Sequence, residues 1–284
     1  MASLTAASAS KPPVRRRALI GAAVAAYSIA VFLALDFGYS TFINSEASPR
    51  IPVAEYNHGL AAKFDGYTRF GEYRYRFITN SLGMRDGTTR DVPLTAAGRR
   101  VLLIGDSFTE GMMVPFEESF AGLLYRAGQD RPQPVEFLNA AAVSYSPIIY
   151  YLKTQHLLDS GLKFDEVVVF SDISDVEDEA TSYFCLDDPN QRKDCVNTAP
   201  PMGTWLAKHF IVTDTTRLLI KYRMQMLWGN QVDRARAHNP RAGWTLPGYD
   251  LEDEYAPLGV EGGIARSLKD MQALADMLKA RGIR

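Results

Sequence analysis

The sequence has 284 residues, of which 46% are hydrophobic and 23% are charged, and its formal net charge is −2. This composition is that of a globular protein long enough for one large domain or two small ones. Because neither basic nor acidic residues are in excess, nucleic acid is disfavoured as a partner.

The N-terminal region contains a candidate membrane-spanning helix. Three arginines end at Arg17 and are followed by a stretch without a charge, Ala18–Leu35. As a helix this stretch is roughly 27 Å long, close to the hydrocarbon core of a bilayer. The arginine flank predicts a cytoplasmic tail over 1–17, a membrane helix over 18–37 and an extracytoplasmic (periplasmic) remainder. The lipid bilayer is therefore a predicted partner.

A cleaved signal peptide is the alternative to a retained anchor. Ser45–Ala47 has the small-x-small pattern of a cleavage site. The apolar stretch is longer than the ~7–15 residues that are usual in a signal peptide, which favours the anchor.

The two cysteines, Cys185 and Cys195, flank a polar loop. In an exported chain, two cysteines at this separation indicate a local disulfide. Two unrelated thiols are the alternative. A metal pair is disfavoured because neither cysteine has a Cys or His at ligand spacing. We expect no metal and no other cofactor.

The chain order of the predicted elements indicates an α/β fold. Residues 38–99 are rich in Tyr, Arg and Gly and are interpreted as a turn-rich lead-in rather than a core element. Three apolar runs then alternate with amphipathic helices, which is typical of a three-layer α/β/α fold with a parallel sheet. The predicted elements are strand Val101–Ile104, a helix over 116–128, strand Val135–Leu138, a helix from Pro147 to Gly161 with Ser146 as its cap, and strand Glu166–Phe170.

Residues 180–262 interrupt this alternation and are interpreted as an insertion that could form a lid over the substrate. A helix follows, with Gly282 as its predicted end. Its predicted buried face consists of Ile264, Leu268, Met271, Leu274 and Leu278. Because this architecture continues with a strand after such a helix, we expect the domain over 100–284 to be truncated before its last strand.

The stretch Gly105–Gly111 reads GDSFTEG and places Ser107 directly after the first predicted strand. Sites in open α/β sheets form at the carboxyl ends of strands. The stretch lacks the Lys of a phosphate-binding loop, and Thr109 stands where a nucleophile elbow needs its second Gly. A serine that only caps the next helix is the alternative.

GDSFTEG, together with NAAAVSYSP and DISD further along the chain, resembles the conserved blocks of the SGNH (GDSL-like) hydrolases, here of a membrane-anchored extracytoplasmic type. NSLGMRD resembles a segment that often precedes the first block. The resemblance covers roughly residues 75–284 and implies a serine hydrolase of acyl esters, including acetylated carbohydrates, with Ser107 as the nucleophile. It also implies an oxyanion hole made of the Ser107 N–H, the Ser144 N–H and the Ser174 side chain. Ser174 stands where the family has Asn.

The last block of that family, Asp-x-x-His, supplies the base and the carboxylate that orients it. None of the four histidines here has an Asp three residues before it: His58, His156, His209 and His238. A serine hydroxyl without a base is a poor nucleophile. We therefore expect the base to lie beyond Arg284 and the chain as it stands to be nearly inactive.

Two other functions stay open. One is a polysaccharide O-acetyltransferase of the same fold. Its acceptor sugar could stack on four aromatic residues of the insertion, for which packing in the core is the simpler interpretation: Tyr183, Trp205, Trp244 and Tyr249. The other is a non-catalytic anchored binding protein, including one that holds a metal at the acidic residues after the third strand. For these residues a solvated acidic loop is preferred: Asp172, Asp175, Asp178 and Glu179.

Overall fold

The computed structural model describes residues 14–43, 48–70, 73–188, 205–206, 209–228 and 258–284. The chain divides into two units, Met1–Ser45 with Ala199–Ala237 and Glu46–Thr198 with His238–Arg284. Each unit is described by itself. Four residues considered in the sequence analysis lie outside the described ranges: Cys195, His238, Trp244 and Tyr249. The side chain of Cys185 is also outside the description, so the disulfide stays a prediction.

Strands and helices are numbered in chain order. The strands are β1 Arg50–Val53, β2 Asn57–Leu60, β3 Asp65–Phe70, β4 Tyr73–Ile78, β5 Arg99–Gly105, β6 Val135–Asn139 and β7 Glu166–Phe170. The helices are α1 Val14–Gly38, α2 Ser107–Glu110, α3 Phe120–Gln129, α4 Pro147–Asp159, α5 Ile173–Thr181, α6 Ile211–Trp228 and α7 Gly259–Ala280.

The α/β/α fold predicted from the sequence is confirmed. Strands β6, β5 and β7 form a parallel sheet in that order. Side chains alternate along β5, so Val101 and Leu103 pack in the core that includes Ala121 of α3. Leu102 and Ile104 pack in the opposite core, with α4 and α7. Because both faces of the sheet are covered, the central parts of its strands are mostly apolar.

Helix α3 begins later than the sequence pattern predicts. Ser119 caps it at Phe120, with its side chain accepting a hydrogen bond from the Gly122 N–H at 3.1 Å. The preceding residues form a separate 3₁₀ turn, Phe116–Glu118. Gly122 permits this arrangement, because a Cβ there would collide with the Phe116 backbone.

The buried face of α7 differs from the predicted one. Ile264 and Leu268 are exposed, whereas Arg266 and Asp270 are buried. Arg266 Nε donates a hydrogen bond to Glu179 Oε2 of α5 at 2.8 Å. A buried carboxylate needs a cationic partner, and this ion pair turns a polar side of α7 toward α5.

After α7 the chain turns toward the sheet. Gly282 has a φ of +68°, the left-handed conformation that commonly follows a helix end. The Arg284 N–H donates to Asp165 O at 3.1 Å, and the Arg284 carbonyl accepts from the Val167 N–H at 2.8 Å. This is the hydrogen-bond pattern of a parallel ladder, so Arg284 lies beside β7.

The lead-in is more structured than its composition predicts. Strands β1 and β2 form one antiparallel hairpin, and β3 and β4 form another. Phe77 and Met84 are fully buried. In the NSLGMRDG turn, the Asn80 side chain accepts the Met84 N–H, and the Arg85 N–H donates to Asn139 O at the end of β6. The lead-in therefore contributes to the core, unlike the expectation from its sequence.

The N-terminal unit begins with α1. The helical stretch Arg15–Phe42, which contains the predicted span 18–37, is long and apolar enough to cross a membrane by length and composition.

Candidate active site

Ser107 is the first residue of the short helix α2, directly after the central strand β5. Asp106 caps this helix, since its carboxylate accepts the Phe108 N–H at 2.9 Å. Gly105 makes the tight turn from strand to helix possible, because a Cβ there would lie 2.8 Å from Phe170 O. The Gly and the Asp of the GDS motif thus each have a local physical explanation.

The Ser107 side chain is half-buried at the carboxyl edge of the sheet. Its hydroxyl donates to Asp106 Oδ2 at 3.2 Å. Within the described residues no histidine ring is hydrogen-bonded to it. Burial, followed by the nearby Asp172 charge, raises the pKa of Asp106.

Ser144, the predicted second oxyanion donor, has a φ of +57°. This left-handed conformation is normal for Gly and uncommon for other residues, which agrees with its place at a Gly position of the family pattern. The residue is exposed. Its N–H makes no hydrogen bond within the part of the chain that the structure describes, as an oxyanion donor requires.

The peptide before Ser144 is held from two sides. The Val143 N–H donates to Glu110 Oε2 at 2.8 Å, and the Val143 carbonyl lies 2.8 Å from His58 Nε2. Glu110 is fully buried and also pairs with both terminal nitrogens of the Arg50 guanidinium, at 2.8 and 2.9 Å. Residues of the lead-in and of α2 therefore position the Ser144 turn.

We expect Ser144→Val to lower the free energy of unfolding by about 2 kcal/mol, because a β-branched residue is strained at positive φ. Ser144→Gly should leave it unchanged or raise it by up to about 1 kcal/mol. Denaturant unfolding of the two variants measures the difference. Equal stability of the Val and Gly variants would contradict a left-handed conformation at this position.

Ser174 lies in the first turn of α5, where its hydroxyl and its N–H both donate to Asp172 Oδ1. Asp172 caps α5. The Ser174 hydroxyl proton is therefore engaged with its own cap, whereas the resemblance implies that it points to an oxyanion. The third oxyanion donor stays a prediction.

The loop after β7 lies beside the residue that precedes Ser107. Carboxylate oxygens of Asp106, Asp172 and Asp175 all lie within 4.8 Å of one another. Burial raises the pKa of Asp175 to about 6. Its Oδ2 accepts hydrogen bonds from Ser171 Oγ at 2.7 Å and Tyr150 Oη at 2.9 Å, which orient this carboxyl group. These three residues could offer oxygen ligands to a hard cation.

The acidic residues after β7 are not the solvated loop favoured by the sequence. Asp175 and Glu179 are buried in α5. Glu179 Oε1 accepts the Ser146 hydroxyl at 2.8 Å and the Ile148 N–H at 2.6 Å, so the cap of α4 is supplied by Glu179. Ser146 itself makes no side-chain cap, in contrast to its predicted role.

Arg85, in the NSLGMRD segment, holds the chain that follows Ser107. It is 1% exposed, and its guanidinium donates to the carbonyls of Glu110, Gly111 and Val114. The guanidinium also lies 4.5 Å from the centroid of the Phe77 ring. Arg85, Glu110 and Arg50 are positioning residues that sequence reasoning missed. The only hint of their role in the sequence is that each is a charged residue inside a motif or close to an apolar segment.

The described histidines have structural contacts. His58 Nε2 faces a carbonyl oxygen, which can only accept, so this nitrogen carries a proton; burial lowers the pKa of His58. The His156 ring packs on Tyr56 with centroids 5.4 Å apart, as expected of a partly buried structural histidine. The His209 ring stacks on Trp205 with centroids 4.6 Å apart.

Two of the four aromatic residues considered for sugar stacking are described. Tyr183 is 8% exposed and belongs to the main core. Trp205 packs against Phe37 and His209 in the N-terminal unit. Neither residue forms an open platform on the unit that contains Ser107.

No protein-family model and no curated protein matches this sequence. Two solved structures that are similar to it are the crystal structure of AlinE4, described as an SGNH-hydrolase family esterase, and a mutant of the same esterase. The first has 16% sequence identity and a TM-score of 0.26, over 36% of this chain and 52% of that chain. The second has 15% identity and the same TM-score of 0.26, over 67% of this chain and 99% of that chain. The first alignment thus spans about half of the esterase. The fold itself, a parallel sheet between helical layers, agrees with the SGNH-like architecture expected from the motifs.

Proposed function

We propose that this protein is a membrane-anchored serine ester hydrolase that works through an acyl-enzyme, with Ser107 as its nucleophile. The observation that carries the proposal is the place of Ser107 at the carboxyl edge of the central strand, beside a turn that presents the Ser144 N–H. The hydrogen bond from Val143 to Glu110 joins that turn to the helix that begins at Ser107. A hydroxyl and a backbone donor near one another at the edge of a sheet are what acyl transfer requires.

In the proposed reaction the Ser107 oxygen attacks the ester carbonyl carbon, and its proton passes to a base. The carbonyl oxygen becomes an oxyanion that accepts hydrogen bonds from the N–H groups of Ser107 and Ser144. The C–O bond to the alcohol then breaks, and the alcohol leaves with the proton. Water attacks the acyl-serine in the same way and releases the carboxylic acid.

The resemblance assigns the base to the histidine of an Asp-x-x-His block. The rings of the described histidines have other partners, so the base stays a prediction that rests on the resemblance.

The test is covalent labelling of the protein expressed from its full coding region. A fluorophosphonate should form one stoichiometric adduct, located at Ser107 by peptide mass spectrometry, because only an activated hydroxyl reacts. The Ser160→Ala variant, which changes an exposed serine after α4, should label normally. An unlabelled Ser107 would favour the non-catalytic binding protein.

The proposal includes an extracytoplasmic position for the domain. Fusions at residue 60 to alkaline phosphatase and to a reporter that is active only in the cytoplasm test it. The arginine flank of α1 predicts activity from the phosphatase fusion alone. Activity from the cytoplasmic reporter alone would show that the domain lies on the cytoplasmic side and would contradict this part of the proposal.

A further inference from the structure

We propose that α6 lies in the membrane interface beside α1 and is a second membrane contact of this protein. The proposal rests on the anchoring of the protein through α1. Helix α6 belongs to the insertion that the sequence analysis interprets as a potential lid over the substrate, and the proposal gives this helix lipid as its partner instead.

The first observation is the attachment of α6 to the end of the apolar helix. Asp36 is the first charged residue after the uncharged stretch of α1. Its carboxylate accepts the N–H groups of Val212 and Thr213 at 3.0 and 2.8 Å, and the hydroxyl of Thr213 at 2.6 Å. The Ser40 hydroxyl accepts the Ile211 N–H at 3.0 Å. Asp36 and Ser40 thus satisfy the first turn of α6, whose free N–H groups favour an anionic partner.

The second observation is the contact of α6 with the end of the uncharged stretch of α1. Beyond its first turn, a groove next to Phe32 is lined by Thr213, Thr216, Arg217 and Ile220. Phe32 precedes Asp36 by one helical turn, within the uncharged part of α1. The first turns of α6 therefore lie beside Phe32 and Asp36, which mark the end of the uncharged stretch of α1.

The third observation is the composition of the α6 surface. At about 100° per residue, Asp214 and Arg217 fall on one narrow stripe, where they form an ion pair of 2.8 Å. Exposed apolar residues occupy much of the remaining circumference in the described unit, and the exposed Arg223, roughly opposite the stripe, interrupts them. The exposed apolar residues are Val212, Leu218, Leu219, Ile220, Met224 and Leu227. A wide apolar surface with a charged stripe and one arginine, whose long side chain can extend its charged end to the headgroups, suits a helix in the plane of an interface.

The fourth observation is an aromatic cluster at the same end of α1. The Phe37 ring lies 6.3 Å from the Trp205 ring and 5.7 Å from the His209 ring, measured between centroids. Amphipathic aromatic rings are enriched at the headgroup level of membranes. Because the first turn of α6 is hydrogen-bonded to the end of the helix that we propose as the anchor, lipid is the occupant that fits its apolar surface.

The test uses the full chain in vesicles of phosphatidylethanolamine with a minority of phosphatidylglycerol. A phospholipid that carries a photoactivatable diazirine in its acyl chain is included, and carbene adducts are mapped by mass spectrometry. We expect adducts in α1 and on the leucines of α6. Adducts in α1 without adducts in α6 overturn the inference and leave the anchor in place. Adducts in neither helix overturn both the inference and the anchor.

A pair of Leu→Glu variants provides the matched control. Leu219 on α6 and Leu268 on α7 are 58% and 66% exposed. Leu219→Glu should lower the labelling of α6 relative to α1 by at least about tenfold, because a carboxylate is poorly accepted below the headgroups. Leu268→Glu should leave that ratio unchanged. Equal ratios in both variants, or cross-links between α6 helices of two copies in place of lipid adducts, would overturn the lipid assignment.

Discussion

Ser107→Ala is expected to lower ester hydrolysis by the protein from its full coding region by a factor on the order of 10⁴ to 10⁶ in kcat. The substitution removes the only atom that can form the acyl-enzyme, while the backbone donors of Ser107 and Ser144 stay in place. These donors and substrate binding supply the residual rate. Initial rates with a short aryl ester, such as an aryl acetate, measure the effect.

Folding should be almost unaffected by this substitution. The Ser107 hydroxyl makes one described hydrogen bond, to Asp106 at 3.2 Å, so the free energy of unfolding should change by less than about 1 kcal/mol. Ser160→Ala serves as the matched serine control and should keep the full rate. A Ser107→Ala protein that folds normally and hydrolyses the ester at the original rate would exclude the proposed nucleophile.

Arg85→Ala is expected to have the largest effect on stability, lowering the free energy of unfolding by about 3–5 kcal/mol. The guanidinium is buried and donates to three carbonyls in the segment after Ser107, those of Glu110, Gly111 and Val114. Its loss leaves these acceptors without their partner and removes the contact with the Phe77 ring. In a domain of this size the midpoint of thermal unfolding should fall by roughly 10 °C.

Two further variants separate loss of charge from loss of geometry at this position. Arg85→Lys keeps the charge, but one ammonium group cannot reproduce the fork that reaches Gly111 and Val114. It should therefore recover less than half of the lost stability. Arg131, which is exposed in the turn before β6, is the control, and Arg131→Ala should change stability by less than about 0.5 kcal/mol. An Arg85→Ala protein as stable as this control would contradict the positioning role.

Local sequence patterns were sufficient for the sheet and for the place of the candidate nucleophile. The apolar runs ending at Ile104, Leu138 and Phe170 form the three parallel strands, because a strand covered on both faces is apolar at most of its positions. The turn after β5 was equally predictable, since GDS combines a residue without a side chain, a capping carboxylate and a hydroxyl within three positions. The span of α1 follows from the length of its uncharged stretch.

Tertiary structure alone decided which charged residues are buried. Charged residues are usually exposed, yet four of them are almost completely buried here: Arg85, Glu110, Glu179 and Arg266. Their burial depends on partners that are distant along the chain, such as Arg50 for Glu110 and Glu179 for Arg266.

The same limit applies to α6. Its composition alone is compatible with a lid over the substrate, and only the hydrogen bonds from its first turn to Asp36 place it beside α1. The hydrophobic periodicity of a sequence shows which face of a helix is apolar on average. It does not show that a charged residue on that helix is buried by an ion pair or a cap with a residue far away along the chain. The sequence by itself therefore determined the layers of the fold, the long apolar helix and the turn that carries Ser107, and the folded chain decided which charged side chains hold the layers and the turn together.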